Sequence, residues 1–361
     1  MNHSLALNGR RYAAGIDINA KGVRVVVMSR RLLGQIELCV DHIGIAPLPG
    51  EAMSGPELLD PAAVSYAIIN ALGTFYSPRI AASLRVAMAI APSVTLVSAV
   101  PRSSLDPAAD SLAPQASRAS SPNRRSGSLG ARSTLLDMAL DDLEPAIRAH
   151  AEARLGIERN SLAVDWFASR GPLSTPDHLT IAAAAREHID ARIDAATGAG
   201  LQLIAVDAEP VAALRACRYD ATREVDPDEI YAVLWLGDDS THLWAIHQGR
   251  PIRELRLLVQ REIPISLLAS LAVFAKSIAC ESVGGKRKVP VVLDCAFVAG
   301  DLDSLINAGI TLDDISIALD CAVFEFDPSS QCEGRAPIAL PEIRPAVLAV
   351  AFGLALRGAL Q

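Results

Sequence analysis

The segment Gly15-Ile16-Asp17-Ile18-Asn19-Ala20-Lys21-Gly22-Val23-Arg24-Val25-Val26-Val27 constrains the fold more than any other part of the sequence. Apolar runs flank a short polar break, which predicts a buried strand, a tight turn and a second strand. Asp17 then lies near a strand end. The Asn19-Ala20-Lys21-Gly22 backbone is left free to face a ligand, as a phosphate-cradling hairpin requires. An ordinary hairpin with a solvated turn has the same pattern, with Asp17 merely capping it.

Three later segments add to this reading. Ile204 to Ala216 is a strand whose acids, Asp207 and Glu209, lead into a helix. Ala232 to Ile252 repeats the strand, polar turn, strand pattern, with Gly237, Asp238, Asp239, Ser240 and Thr241 at its break. Val347 to Gly358 is a helix rich in small residues, Gly353 among them, which permits close packing beside a cleft.

These segments resemble the PilM family of cytoplasmic type IV pilus assembly proteins, within the actin-like ATPase superfamily. Leu143 to Phe167, Ala183-Ala184-Ala185-Arg186-Glu187-His188-Ile189-Asp190, Gly198-Ala199-Gly200-Leu201 and Ala349 to Gly358 carry the most specific likeness. The resemblance covers most of the chain. It implies an α/β, actin-like ATPase fold of two domains around a cleft, with an FtsA-like 1C subdomain. The implied order is 1–91 for the first part of subdomain 1A, 92–185 for 1C, and 186–229 for the rest of 1A. Domain 2 follows at 230–340, and a helix at 341–361 returns to domain 1.

The resemblance also implies ATP and Mg²⁺ as ligands. The first hairpin would contribute Asp17, Asn19, Ala20, Lys21 and Gly22, and the second Gly237, Asp238, Asp239, Ser240 and Thr241. Asp207 and Glu209 would take the interdomain acid position, Gly300 and Gly353 would border the nucleotide, and Asp17 with Asp207 would hold the metal. Several residues depart from the family pattern. Hydroxyl residues of the first turn are replaced by Ala20-Lys21-Gly22, and the second hairpin opens with Trp235-Leu236-Gly237 where an acid is usual. The adenosine-contacting glycine run is reduced to Gly300 within Val291 to Gly300. A backbone approaching adenine needs glycine, so this loss predicts weak or absent nucleotide binding. No catalytic residue is assigned, and the chain is at most a weak ATPase.

Composition narrows the function classes further. With 361 residues the chain is long enough for two cores. Hydrophobic residues make up 51% and aromatics only 4%, so the interior is built from Ala, Leu, Val and Ile. A net charge of −8, from 33 basic and 41 acidic residues, argues against a nucleic-acid partner. Cys39, Cys217, Cys280, Cys295, Cys321 and Cys332 show no metal-ligand spacing and read as buried free thiols. His150, His178, His188, His242 and His247 form no catalytic grouping with a serine or cysteine and read as surface or half-buried residues. Neither a signal peptide nor a membrane-spanning stretch is expected, which predicts a cytoplasmic protein reaching the inner membrane through partners.

Ser103 to Ser133 has no apolar periodicity and reads as an inserted disordered loop, an inert tether or, through its arginines, a contact with anionic lipid or an acidic partner. The resemblance implies recruitment more than turnover. Its expected partners are the N-terminal cytoplasmic peptide of PilN, the PilN–PilO membrane complex, and a pilus motor ATPase or platform protein. The peptide groove is expected along the Leu84 to Val100 strands and the Leu143 to Leu155 helix. Two alternatives are a type II secretion scaffold, whose membrane helix this sequence lacks, and an actin-fold phosphotransferase. No segment resembles the catalytic-aspartate loop the latter needs. A scaffold with a decayed cleft that binds no nucleotide is the third.

Overall fold

A computed structural model describes residues 10–31, 38–81, 83–105, 143–168, 178–258, 264–279, 292–328 and 343–360. Most of the segment expected to be an inserted loop, Ser103 to Ser133, including its arginines, lies outside the described residues. The chain divides into one compact unit of residues 1–93 and 190–361, and a second of residues 94–189.

The first unit begins with β1 (Arg10–Asn19), β2 (Gly22–Arg31) and β3 (Leu38–Ala46). A small hairpin, β4 (Met53–Ser54) and β5 (Glu57–Leu58), leads to α1 (Pro61–Leu72), α2 (Pro78–Ala81) and β6 (Arg85–Ile90). The start of α1 is written in its sequence. The Asp60 carboxylate accepts from the Ala63 N–H at 2.9 Å, Pro61 takes the first helical position, and Gly73 ends the helix.

The second unit holds β7 (Thr95–Pro101), α3 (Glu144–Leu155), β8 (Leu162–Ala168) and β9 (His178–Ala185). Its sheet runs β7-β9-β8, antiparallel throughout. Ile147 and Ala151 of α3 are buried against the sheet residues Val100, Leu179, Ile181, Leu162 and Ala183. Glu144 and Arg148 pair one turn apart at 2.7 Å, and Gly156 caps the helix in the left-handed region.

The first unit then continues. After α4 (Arg186–Gly198) come β10 (Gln202–Ala208), α5 (Glu209–Glu224), β11 (Ile230–Leu236), β12 (Ser240–His247) and β13 (Arg250–Leu258). They are followed by α6 (Pro264–Ala279), β14 (Cys295–Gly300), α7 (Leu302–Asn307), α8 (Leu312–Leu319), β15 (Ala322–Glu325) and α9 (Ala349–Leu360).

This unit contains the same sheet twice. One sheet runs β3-β2-β1-β6-β10 and the other β13-β12-β11-β14-β15. Each is an antiparallel meander whose first strand is continued by two parallel strands. The inner strands β1, β2, β6, β11, β12 and β14 are buried on both faces. Along β2, Val23, Val25 and Val27 face one core with α1 and α4, while Val26 and Met28 face another with α5 and α9. Val233, Trp235 and Phe297 of the second sheet join that shared core from the opposite side, and α6, α7 and α8 cover the sheet's far face.

α9 is the centrepiece of the shared core. Every residue in it except Arg357 and Leu360 is buried. Removing Phe352, Leu354 and Leu356 from water contributes about 1.5–3 kcal/mol each, which makes this helix interior structure. Among the described residues, no helix is long and apolar enough to cross a membrane.

Of the cysteines, Cys39, Cys217 and Cys295 are buried, Cys321 is half-buried, and Cys280 and Cys332 lie outside the described residues. Burial raises the Cys217 thiol far above its ordinary value, reinforced by the Asp220 carboxylate. Burial likewise pushes Cys295 up to about 12 and Cys321 to about 11. Since the thiolate is the reactive form, a disulfide reagent at pH 8 is expected to modify Cys321 well before Cys217. Peptide mass spectrometry of timed samples checks this; early labelling of Cys217 in the folded protein contradicts it.

Candidate functional site

The duplicated sheets bring the two hairpin turns face to face. In the first, Asn19 pairs with Gly22 across the Ala20-Lys21 turn, and the Asn19 side chain accepts from the Lys21 N–H at 3.0 Å. In the second, the Gly237 N–H donates to the Ser240 carbonyl at 3.0 Å, leaving Asp238 and Asp239 at the tip. Asn19 Nδ2 donates to Asp238 at 3.1 Å, while the Lys21 ammonium contacts Asp301 directly and Asp238 at 3.9 Å. The Ser93 N–H donates to Asp239 at 3.0 Å, and Arg256 donates to the Pro92 carbonyl at 3.2 Å.

Behind the tips lies a small buried charge network. Asp17 on β1 faces Arg24 on β2 in register, 2.8 Å apart, and both are largely buried. Burial pushes the Asp17 carboxyl above its ordinary value, with Arg24 opposing the shift. Glu209, at the start of α5, is raised further, first by burial and then by Asp17, Asp239 and Asp238; Arg192 works against this. Arg192 is 1% exposed and its Nε donates to the Ala89 carbonyl at 2.6 Å. Burial brings its guanidinium down to about 10, although Glu209 and Asp17 favour the charge.

Two cavities adjoin these groups. One of about 30 Å³ sits between the hairpins, bordered by Asp17, Asn19, Arg24, Glu209, Gly237, Asp238, Gly300, Asp301 and the Trp235 indole. The other, about 300 Å³, lies under the first turn and is bordered by Asn19, Ala20, Lys21, Arg192, Glu209, Asp238 and Asp239 with Ile18, Met53, Pro56 and Ala91.

The remaining expected site residues fall elsewhere. Asp207 lines neither cavity; it is held by Arg215 at 2.7 Å and Arg357 at 3.0 Å. Asp17 and Asp207 therefore occupy separate ion pairs, and among the described residues no cluster of His, Cys, Asp or Glu has metal-binding geometry. Gly22 packs against the Ala46 carbonyl. Gly300 borders the smaller cavity, but a side chain there would strike the Leu236 backbone, so its glycine is already required by strand packing. Gly353 lies where α9 crosses α5. Ser240 and Thr241 are buried in β12.

His242 and His188, expected at the surface or half-buried, are buried, and His242 lies beside a serine. His242 Nε2 is 3.2 Å from Ser240 Oγ, and its Nδ1 is 3.2 Å from Glu254 on β13. These are the partners of a hydrolytic triad, yet Ser240 is fully buried, donates to Asp239 at 3.1 Å, and lines neither cavity. The imidazole also stacks on Trp244, with ring centres 5.2 Å apart. Sequence reasoning missed this set because Glu254 comes from the next strand. It also missed Arg24, Arg192 and Asp301, of which only Asp301, directly after an apolar strand and Gly300, carries a local signal.

These residues do not fit a magnesium–nucleotide polyphosphate in this arrangement. About 30 Å³ between the tips accommodates a water or two, and the adjoining cavity of about 300 Å³ is bordered by three acids, Glu209, Asp238 and Asp239. Five carboxylates, Asp17, Glu209, Asp238, Asp239 and Asp301, border the two cavities against the cations Lys21, Arg24 and Arg192. Lys21 and Arg24 are both already engaged by acids.

No protein-family model and no curated protein matches the sequence. Among solved structures, the protein is similar to the PilM-PilN type IV pilus biogenesis complex, with 18% identity and a TM-score of 0.62 over 96% of this chain and 98% of that one. It also matches the cytoplasmic domain of EpsL, an inner membrane component of the type II secretion system of Vibrio cholerae, at 11% identity and a TM-score of 0.42, covering 97% and 94%. A Bacteroides thetaiotaomicron protein of actin-like ATPase fold matches at 9% and 0.42, covering 90% and 93%. Together with the doubled sheet order, the PilM-PilN match establishes that this chain has the actin-like ATPase fold.

Proposed function

We propose that this protein is a cytoplasmic adaptor of a type IV pilus inner-membrane assembly platform, a PilM-like scaffold that holds the N-terminal cytoplasmic tail of PilN. In that role it links a PilN–PilO membrane complex to the pilus motor or platform protein, and it reaches the membrane only through these partners. The carrying observation is the likeness to the PilM-PilN complex structure along nearly the whole of both chains. The 94–189 unit offers a suitable surface, since β7 and β8 are the outer strands of its sheet and expose Val97 and Phe167. An extended tail adding to such an edge gains backbone hydrogen bonds and side-chain contacts together. The crowded acidic cleft favours a scaffold that works without nucleotide.

Isothermal titration of the purified protein with a PilN tail peptide from the same genome tests this. One-to-one binding in the micromolar range is the expected result. Absence of binding at high micromolar peptide rejects the adaptor reading. Repeating the titration with ATP and Mg²⁺ is expected to leave the affinity unchanged.

A further inference from the structure

We propose that the cleft between the two sheets is held shut by a latch of the protein's own charges, with Asp301 and Asp238 standing on Lys21 where a bound anion would otherwise stand. The proposal is independent of the peptide-binding reading, because it concerns only the unit that contains both sheets.

Two different kinds of attachment join the halves of that unit. At the base of the cleft, α5 and α9 share one apolar core with both sheets. At the hairpin tips, the described contacts are polar, and each has a charged member: Lys21 with Asp301 and Asp238, Asn19 with Asp238, the Ser93 N–H with Asp239, and Arg256 with the Pro92 carbonyl. Apolar contact is indifferent to added salt or strengthened by it, whereas exposed ion pairs are screened over a Debye length of about 8–10 Å. The base is therefore a hinge and the tips are a latch that ions loosen.

Lys21 is the centre of the latch. Its side chain is 56% exposed, so its own burial stabilises little, yet it contacts acids from two segments of the second sheet's half. Asp301 is fixed from behind by Ser304 Oγ at 2.5 Å. Asp238 is likewise fixed by Asn19. An amine held between two positioned carboxylates already has its charge answered, so a phosphate gains little by approaching its exposed side. An incoming polyphosphate has to displace both acids and then lie beside them.

Amide hydrogen exchange on the full chain reads this out. In Lys21→Met, exchange at residues 20–22, at Ala91 and Ser93, and at residues 237–240 is expected to rise about fivefold, the effect of losing one exposed charge contact. Amides within β1 and β11 keep the wild-type rate. Raising NaCl from 50 to 500 mM reproduces the change in the wild type and adds little in Lys21→Met. Lys21→Arg restores protection, and Asp301→Asn tests the same contact from the opposite side. Wild-type exchange rates at the tips in both Lys21→Met and Asp301→Asn overturn the latch. A rise in wild-type melting temperature of more than about 2 °C with millimolar ATP and Mg²⁺ overturns the statement that acids occupy the anion position.

Discussion

Replacing Gly353 with alanine is expected to cost about 3 kcal/mol or more of folding stability, the upper end for overpacking a core. A Cβ at this position would lie 1.9 Å from the Ala212 carbonyl oxygen and 2.6 Å from its carbon, both backbone atoms of α5. Neither can rotate away, so one helix has to move. The opposite side of α9 offers no slack, because a Cβ on Gly15 of β1 would meet the Ala351 oxygen at 1.9 Å and the Ala355 nitrogen at 2.5 Å. Gly15→Ala is therefore expected to behave alike. Gly50→Ala, with nothing within 4 Å, serves as the control and should stay within about 0.5 kcal/mol. Urea titrations of the three variants decide the matter. Equal midpoints would mean that α9 does not approach α5 and β1 this closely.

Arg24→Met is the second substitution with a large expected effect, about 3–5 kcal/mol at neutral pH, because it strips a buried carboxylate of its cation. Asp17 is already raised by burial, and Arg24 is the chief influence holding it down. A carboxyl with a raised folded value binds more protons folded than unfolded. Its contribution to stability is complete below the unfolded value near 3.9 and is lost as pH rises through the folded one. Removing Arg24 widens that window upward, so the variant should lose stability progressively from about pH 4 towards neutrality, where the wild type changes less. Denaturation midpoints at pH 5.0 and 7.5 test the sign. Asp17→Asn added to Arg24→Met is expected to flatten the profile and recover part of the loss. A variant no less stable at pH 7.5 than at pH 5.0 would refute the account.

Much of the fold is legible in the sequence because it depends on local periodicity. The apolar runs either side of the polar break in Gly15 to Val27 mark β1 and β2, and the polar break at Gly237 to Thr241 marks their counterparts β11 and β12. Val64, Ile68 and Leu72 at helical spacing mark α1, whose end at Gly73 is a local signal. The site was less legible because its contacts are made across strands and between sheets. Strand alternation says which face Asp207 occupies, but not that Arg215 and Arg357 arrive there from two different helices. A glycine announces that something approaches closely without saying what. At Gly300 and Gly353 the neighbour is backbone, Leu236 and Ala212, where a nucleotide was expected. Lys21 as a cleft cation was visible in the sequence; its partner Asp301 is 280 positions away and was not.

The placement of α9 bears on how the molecule is made. β1 leaves the ribosome well before α9, yet its Gly15 packs against residues 351–355 of that helix. At about 5–20 residues per second, the delay between the two is on the order of half a minute. During that interval α5 closes this side of the first sheet only in part, and the newborn chain depends on holding factors or on speed of completion. Premature stop codons before Ala349 are thus expected to give insoluble products even though every strand of both sheets is present.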